Sequence, residues 1–203
     1  MTGPDVVFFD LGSVACRFRP ERRLAAFSAA TGLAGPEIHA RIWGSGLDLD
    51  MDRGRYTVEE ACRAVCDALG CAIPRETLLA AWVRAFEPDP DVLAIVDAVR
   101  RERRAAMLSD NGPLLLAAMP LHLPGFAPRF DPLCFSSDLR AVKPTVACFE
   151  RALARAGVGP ERALLIDDVP ENAAGARAYG MGGIVFTGAA DLRRELRKLG
   201  IRS

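Results

Sequence analysis

The chain has 203 residues, half of them apolar, with 26 basic residues balanced by 26 acidic ones. That is enough for one substantial domain, or for one carrying a smaller insert. A formal charge of zero without a basic stripe excludes the usual footprint of nucleic-acid binding. No run approaches the ~20 apolar residues of a membrane span, and MTGPDVVFF lacks the charged start and long apolar stretch of a signal peptide. The expectation is a soluble, cytoplasmic monomer or homodimer that engages neither nucleic acid nor membrane.

The first element is the run Val6 to Phe9, short, continuously apolar and β-rich, as in a central parallel strand covered on both faces. It runs into Asp10 and turns through Gly12. From about Arg17 to Pro88 the sequence offers no strand but four helical patterns: Pro20 to Thr31, Pro36 to Trp43, Val58 to Leu69 and Arg75 to Phe86. Thr57 and Glu60 form a capping box before the third, and Gly70 ends it. Pro88 and Pro90 mark the return, opening a helix from Asp91 to Arg101. Strand-like runs then recur at Ala105 to Leu108, Leu133 to Phe135, Ala163 to Ile166 and Gly183 to Phe186. Helical stretches, Pro144 to Ala156 and Pro170 to Tyr179, lie between the later ones, with Gly157 and Gly180 as stops. The expected fold is a Rossmann-like α/β domain, a doubly wound parallel sheet, interrupted after its first strand by a small helical insert. Residues 1–16 and 89–203 form the core domain in this reading, and residues 17–88 the helical one. The charge runs Arg100 to Arg104 and LRRELRK are read as solvated helix faces.

Cys16, Cys62, Cys66, Cys71, Cys134 and Cys148 include no C-x-x-C, and His39 and His122 lie far from them in sequence. Reduced thiols are the better reading than a metal cluster. Among the 26 basic residues only Lys143 and Lys198 are lysine, so a compact ammonium beside Pro144 stands out in a chain that otherwise uses arginine.

Ligands of open α/β sheets bind at the carboxyl ends of strands near the topological switch point. Four features fall at such ends: Asp10, Ser109-Asp110-Asn111, Lys143-Pro144 after the loop that follows Leu133 to Phe135, and Asp167-Asp168. Each has a plainer reading: Ser109 and Lys143 as surface residues, and the D-D pair as a helix cap with Glu171 and Asn172 in its first turn.

Taken in order, FFDLGSV, MLSDNG, VKPTVACFERAL and LLIDDVPENAAGARAYGM resemble the four motifs of the haloacid dehalogenase (HAD) superfamily, over essentially the whole chain. The insert resembles that superfamily's small cap. FDLG, the D-R-G-R-Y-T turn, SSDLRAVKP and DDVPEN are similar to the glucose-1-phosphatase-like subgroup, which is related to the phosphatase domain of epoxide hydrolases. Three carboxylates near one point, Asp10, Asp167 and Asp168, call for a cation. Mg2+ suits them, since it takes one or two carboxylates together with a substrate phosphate. The resemblance implies that Asp10, Asp168 and the backbone carbonyl of Gly12 bind Mg2+, with Asp167 a ligand or an outer partner. It further implies that Asp10 attacks phosphorus to form an aspartyl-phosphate that water hydrolyses. The Ser109 hydroxyl, the Asp110 amide and the Lys143 ammonium would then hold the phosphoryl oxygens.

The implied activity is a Mg2+-dependent phosphatase acting on a small phosphorylated metabolite, a sugar phosphate being one candidate. A metal-free 2-haloacid dehalogenase using Asp10, and a catalytically lapsed domain kept for binding, are the alternatives. Most phosphatases of the superfamily carry a second Asp two residues after the nucleophile as general acid and base, where this chain has Gly12. A general acid or base is worth roughly 10^2 to 10^4 in rate. With no such group, activated aryl, acyl or anomeric phosphates should turn over much better than alkyl ones. Asp110 stands where relatives commonly have Asn, bringing a charge near the substrate. Arg17 and Arg19, where relatives carry acidic residues, are read as clamps on an anionic substrate or as solvent-facing. Trp43 is read as a substrate-facing aromatic or as core packing. Asp48, Asp50, Asp52 and Glu59 mimic positions 1, 3, 5 and 12 of a calcium loop, but Arg53 replaces the glycine such a loop needs, which favours a cap loop over the site.

Overall fold

The computed structural model describes residues 3–202, so Ser203 and the first two residues of MTGPDVVFF lie outside the described residues. In chain order the elements are β1 (Val6–Phe9), β2 (Cys16–Phe18), α1 (Pro20–Thr31), α2 (Gly35–Ile42), α3 (Leu47–Asp52), α4 (Val58–Leu69), α5 (Arg75–Val83) and β3 (Phe86–Pro88). There follow α6 (Pro90–Val99), β4 (Arg104–Ser109), α7 (Pro113–His122), β5 (Leu133–Phe135), α8 (Ser136–Leu139) and α9 (Val146–Ala156). The last four are β6 (Ala163–Asp167), α10 (Pro170–Tyr179), β7 (Gly182–Val185) and α11 (Ala189–Lys198).

Five strands form one parallel sheet in the order β5-β4-β1-β6-β7. The chain proceeds outward from β1 to β4 and β5, then returns to the other side of β1 for β6 and β7. The switch point therefore lies at the carboxyl end of β1, where Asp10 stands. All four residues of β1 are fully buried, and they alternate as a pleated strand must. Val7 and Phe9 join a core cluster with the helices between β2 and β3, whereas Val6 and Phe8 join a second cluster with Phe149 of α9 and Ala176 of α10.

The helices are punctuated by the residues that signalled them. The Thr57 hydroxyl accepts from Glu60 N–H (3.3 Å) while the Glu60 carboxylate accepts from Thr57 N–H (2.8 Å), and Gly70 closes α4 in the left-handed conformation. The Asp89 carboxylate caps α6, accepting from Asp91 N–H at 3.0 Å.

Three expectations are corrected. The stretch read as free of strands begins and ends in one: β2 and β3 pair antiparallel, Arg17 opposite Glu87, as a two-stranded ribbon where the chain leaves and rejoins the α/β rhythm. Three-residue strands leave too short a period to detect. Five helices, not four, lie between them, because LDLDMD forms α3 with only Met51 fully buried. Arg100 to Arg104 is no helix face: α6 ends at Val99, the chain turns, and Arg104 opens β4 with its guanidinium on the Ala156 carbonyl. LRRELRK does lie on a helix, α11, with Leu192 and Leu196 buried and the charges outward. Among the described residues no helix is long and apolar enough to cross a membrane. All six cysteines are free thiols, Cys16, Cys134 and Cys148 buried and the others half-buried.

Candidate active site

Asp10 continues β1 by one residue, its N–H donating to the Ile166 carbonyl at 2.9 Å, which fixes it beside the end of β6. The chain then folds back on itself, with Cys16 N–H on the Leu11 carbonyl (2.8 Å) and Ser13 at a φ of 61°. This turn brings Gly12 and Ser13 to the mouth of the sheet, where the Ser13 side chain favours the charged form of Asp168. Among the described residues Asp10, Asp167 and Asp168 form the one acidic group whose carboxylate oxygens fall within 4.8 Å of one another.

Lys143 lies at the centre of the site. Its Nζ donates to Asp10 Oδ1 (2.7 Å) and to Asp167 Oδ2 (2.6 Å), and its side chain is almost wholly shielded from water. Asp167 Oδ1 accepts from Val169 N–H (2.9 Å) and Asn172 Nδ2 (3.0 Å), so both of its oxygens are engaged by protein donors. Asn172 is thus an orienting partner of the acidic cluster, while Glu171 faces solvent.

On the other side of β1, the Ser109 hydroxyl accepts from Asn111 Nδ2 (2.9 Å). Asp110 Oδ1 accepts from the Lys143 backbone N–H at 3.0 Å, tying the Lys143 loop to the end of β4. The acid at position 110 therefore serves as a tether for the Lys143 loop.

The electrostatics follow from this crowding. Burial pushes the Asp10 carboxyl up to about 6; Lys143 opposes that rise and Asp167 adds to it. Burial and the charge of Asp167 raise Asp168 as well. For Lys143 burial works against the charge, but Asp10, Asp110 and Asp167 outweigh it and hold the ammonium above its ordinary value. The Lys143 ammonium is thus held firmly charged beside an Asp10 carboxyl that resists ionisation.

Above these strand ends opens a cavity of about 430 Å3. Asp10, Gly12, Ser13, Asp110, Asn111, Lys143 and Asn172 are on its floor side; Phe18, Arg23, Trp43, Asp48, Asp52, Trp82 and Phe86 come from the ribbon and the helices. Trp43 lines the cavity and is stacked on Trp82 with ring centroids 5.6 Å apart. A larger depression, about 800 Å3, lies outside α1 and α5 and is reached by no carboxyl end of the main sheet.

Arg17 and Arg19 do not line the cavity. Arg17 pairs with Asp89 at 2.9 Å, and Arg19 lies 3.9 Å from Glu87, both exposed along the ribbon. The arginine in the cavity wall is one that sequence reasoning passed over. Arg23, on the buried face of α1 four residues before Phe27, is only 5% exposed and sits among Phe18, Trp43, Trp82 and Phe86, with its CZ atom 4.9 to 5.8 Å from their ring centroids. Its Nε donates to the Trp82 carbonyl (2.8 Å), its Nη2 has no hydrogen-bond partner among the described residues, and burial lowers it to about 10. Asp48 and Asp52 were noticed only as members of a false calcium loop. On α3 they are four residues apart, so both point into the cavity, whereas Asp50 turns outward to Arg53 and Arg55. The usable signal was an acid pair at helical spacing, which the alternation of LDLDMD disguised.

The family model for haloacid dehalogenase-like hydrolases matches residues 4–180. No curated protein matches the chain in sequence. Among solved structures, a HAD family enzyme from Bacteroides thetaiotaomicron superposes with a TM-score of 0.79 at 19% identity, covering 96% of this chain and 99% of that one. The same enzyme in complex with magnesium and inorganic phosphate gives 0.72 at 19% identity over 89% and 92%. A HAD-like family hydrolase from Porphyromonas gingivalis gives 0.74 at 23% identity over 97% and 99%. L-2-haloacid dehalogenase from Xanthobacter autotrophicus gives 0.62 at 21% identity, over 96% of this chain and 83% of that one.

Proposed function

Because this chain belongs to the haloacid dehalogenase-like hydrolases, we propose that it hydrolyses the phosphomonoester of a small metabolite, with Asp10 as nucleophile and residues 17–88 as a cap over the strand ends. The observation that carries this reading is the clustering of three carboxylates around a single buried ammonium. One ammonium leaves such a cluster short of positive charge: the Asp10 and Asp168 carboxyls, raised first by burial, are raised further by the charge of Asp167. A divalent cation suits the deficit better than the bare carboxylate of a haloacid, which would add to the repulsion. The magnesium and phosphate bound by the Bacteroides thetaiotaomicron enzyme agree with this choice.

Asp10, Asp168 and the carbonyl of Gly12 are the groups that would hold Mg2+, which when bound supplies Lewis-acid charge to the phosphoryl oxygens. Asp167, with both oxygens engaged, positions Lys143. The Asp10 carboxylate attacks phosphorus in line, the bond to the leaving oxygen breaks, and an aspartyl-phosphate results. Lys143, the Ser109 hydroxyl and the Asp110 N–H hold the equatorial oxygens where charge develops. Water then attacks phosphorus and returns the electron pair to Asp10.

A panel of phosphorylated metabolites assayed with and without Mg2+ tests this. Native protein should release phosphate only with the metal, and Asp10→Asn should release none. Chloride release from 2-chloropropionate in EDTA, with no phosphatase activity, would reject the proposal in favour of dehalogenation. Inactivity on both would leave the fold as a binding domain.

A further inference from the structure

We propose that Asp52 of α3 is the acid that protonates the leaving oxygen, the task for which position 12 offers no side chain; this rests on the phosphatase reading above. In-line displacement fixes the direction of departure. The nucleophile stands on the floor of the cavity, so the leaving oxygen exits opposite it, toward the wall formed by the helices between β2 and β3. From that wall three polar side chains line the cavity: Arg23, Asp48 and Asp52.

Arg23 is the weaker donor: its Nε is committed to the Trp82 carbonyl, and burial lowers it only to about 10, further from neutrality than a buried carboxyl. The choice between the acids follows from how α3 seats on the core. A Cβ placed on Gly112, just beyond Ser109 and Asp110, would lie 3.0 Å from Met51 Cβ and 3.3 Å from Asp52 Oδ1. The last turn of α3 is therefore pressed against the loop that would hold the phosphoryl group. The charge of Asp110 acts on Asp52, whereas Asp48, one turn back, is influenced instead by Arg23 and His39. No hydrogen bond occupies the Asp52 carboxyl among the described residues.

The surroundings also keep Asp52 in the form a donor needs. Burial, then Asp48 on its own helix and Asp110 at the end of β4, push its carboxyl up to about 8, against the pull of Arg23 on α1. Of the other nearby charges, Asp50 pairs with Arg55, His39 of α2 acts on Asp48, Asp138 of α8 lies 3.8 Å from Arg155, and the Arg140 side chain after α8 packs beside Gly54.

The protons balance over a turnover. As the bond from phosphorus to the leaving oxygen breaks, the oxygen keeps the electron pair and takes the proton of Asp52, departing as neutral alcohol. Asp52, now a carboxylate, accepts a proton from the water that attacks the aspartyl-phosphate. Hydroxide adds to phosphorus, Asp10 leaves with its electron pair, and phosphate and protonated Asp52 are restored. On this account the preference for activated esters expected from Gly12 is a property of the protein without Asp52, and the native chain handles alkyl esters too.

The test is a leaving-group series with Mg2+: p-nitrophenyl, phenyl and propyl phosphate, measured on native protein, Asp52→Asn, Asp52→Glu and Asp48→Asn. Asp52→Asn should lose roughly 10^2 to 10^4 in turnover of phenyl and propyl phosphate, and less than about tenfold on p-nitrophenyl phosphate, whose phenolate needs no proton. The alkaline fall in native turnover of propyl phosphate should disappear with it, Asp52→Glu should recover part of the loss, and Asp48→Asn should keep the native dependence on leaving group. Retained p-nitrophenyl turnover shows that the variant is folded. Equal losses on all three esters, or an unchanged leaving-group dependence, overturn the role of Asp52 alone. A native chain that hydrolyses none of the three overturns the phosphatase reading and this one together.

Discussion

Lys143 serves two carboxylates from one atom, at 2.7 and 2.6 Å, from a position where water scarcely reaches it. A planar guanidinium would commit its fork to one partner, whereas a compact ammonium can sit between two. That is the physical content of a lysine in so arginine-rich a sequence, and it made Lys143 legible before any fold was known. Asp110 was legible only as a problem, because its partner is a backbone N–H across the site, 33 residues away in the chain. Asp52 carries a stability cost that can be measured. Its folded carboxyl lies above the ordinary value of 3.8, so the folded state binds the proton more tightly than the unfolded one. The stability it contributes is fully present below pH ~4 and is lost as pH rises toward ~8. Urea denaturation from pH 4 to 9 should show this decline, of the order of a few kcal/mol, and Asp52→Asn should flatten it and be the more stable protein at pH 8. Equal slopes for the two proteins would refute the assigned environment.

At the scale of elements, prediction succeeded where a physical period or cap had room to repeat. α4 carries its start and stop in Thr57, Glu60 and Gly70, and the structure uses all three. Thr57→Ala should destabilise the fold by about 1 kcal/mol through the loss of the cap, read from the midpoint of chemical denaturation, with phosphate release unaffected because α4 supplies nothing to the cavity. Short elements defeated the same logic. The β2–β3 ribbon is three residues on each side, and α3 is six residues whose acids alternate with apolar side chains. What selects a helix for α3 is tertiary: Met51 packs into the core, and Gly112 permits its close approach.

For the whole molecule, the site exists because the sheet gathers side chains from distant parts of the chain. Asp10 and Lys143 are 133 residues apart in sequence, and the ion pair between them closes only when β1, β4 and β6 are in register. A cation that binds this arrangement and not the unfolded chain must stabilise the fold. Mg2+ at 100 times its dissociation constant should add about 2.7 kcal/mol, seen as a rise in Tm of about 2–4 °C per kcal/mol. Asp168→Asn should lack most of that rise. A shift of the same size in the variant would remove Asp168 from the metal site.

Readable from the chain alone were the strands of the main sheet, the helical segment after the first of them, and the placement of Asp10, Ser109, Lys143, Asp167 and Asp168 at or near the strand ends. Those are consequences of local pattern: continuous apolar runs, helix caps, and polar residues where such runs stop. Which groups share a cavity depends on how the elements pack. That packing turned Arg17 and Arg19 outward along the ribbon, brought Arg23 inward among four aromatic rings, and seated Asp52 above the floor of the site. The reason is that charge and residue type are written locally, whereas burial, proximity and the proton affinities they set arise only when separate elements pack together.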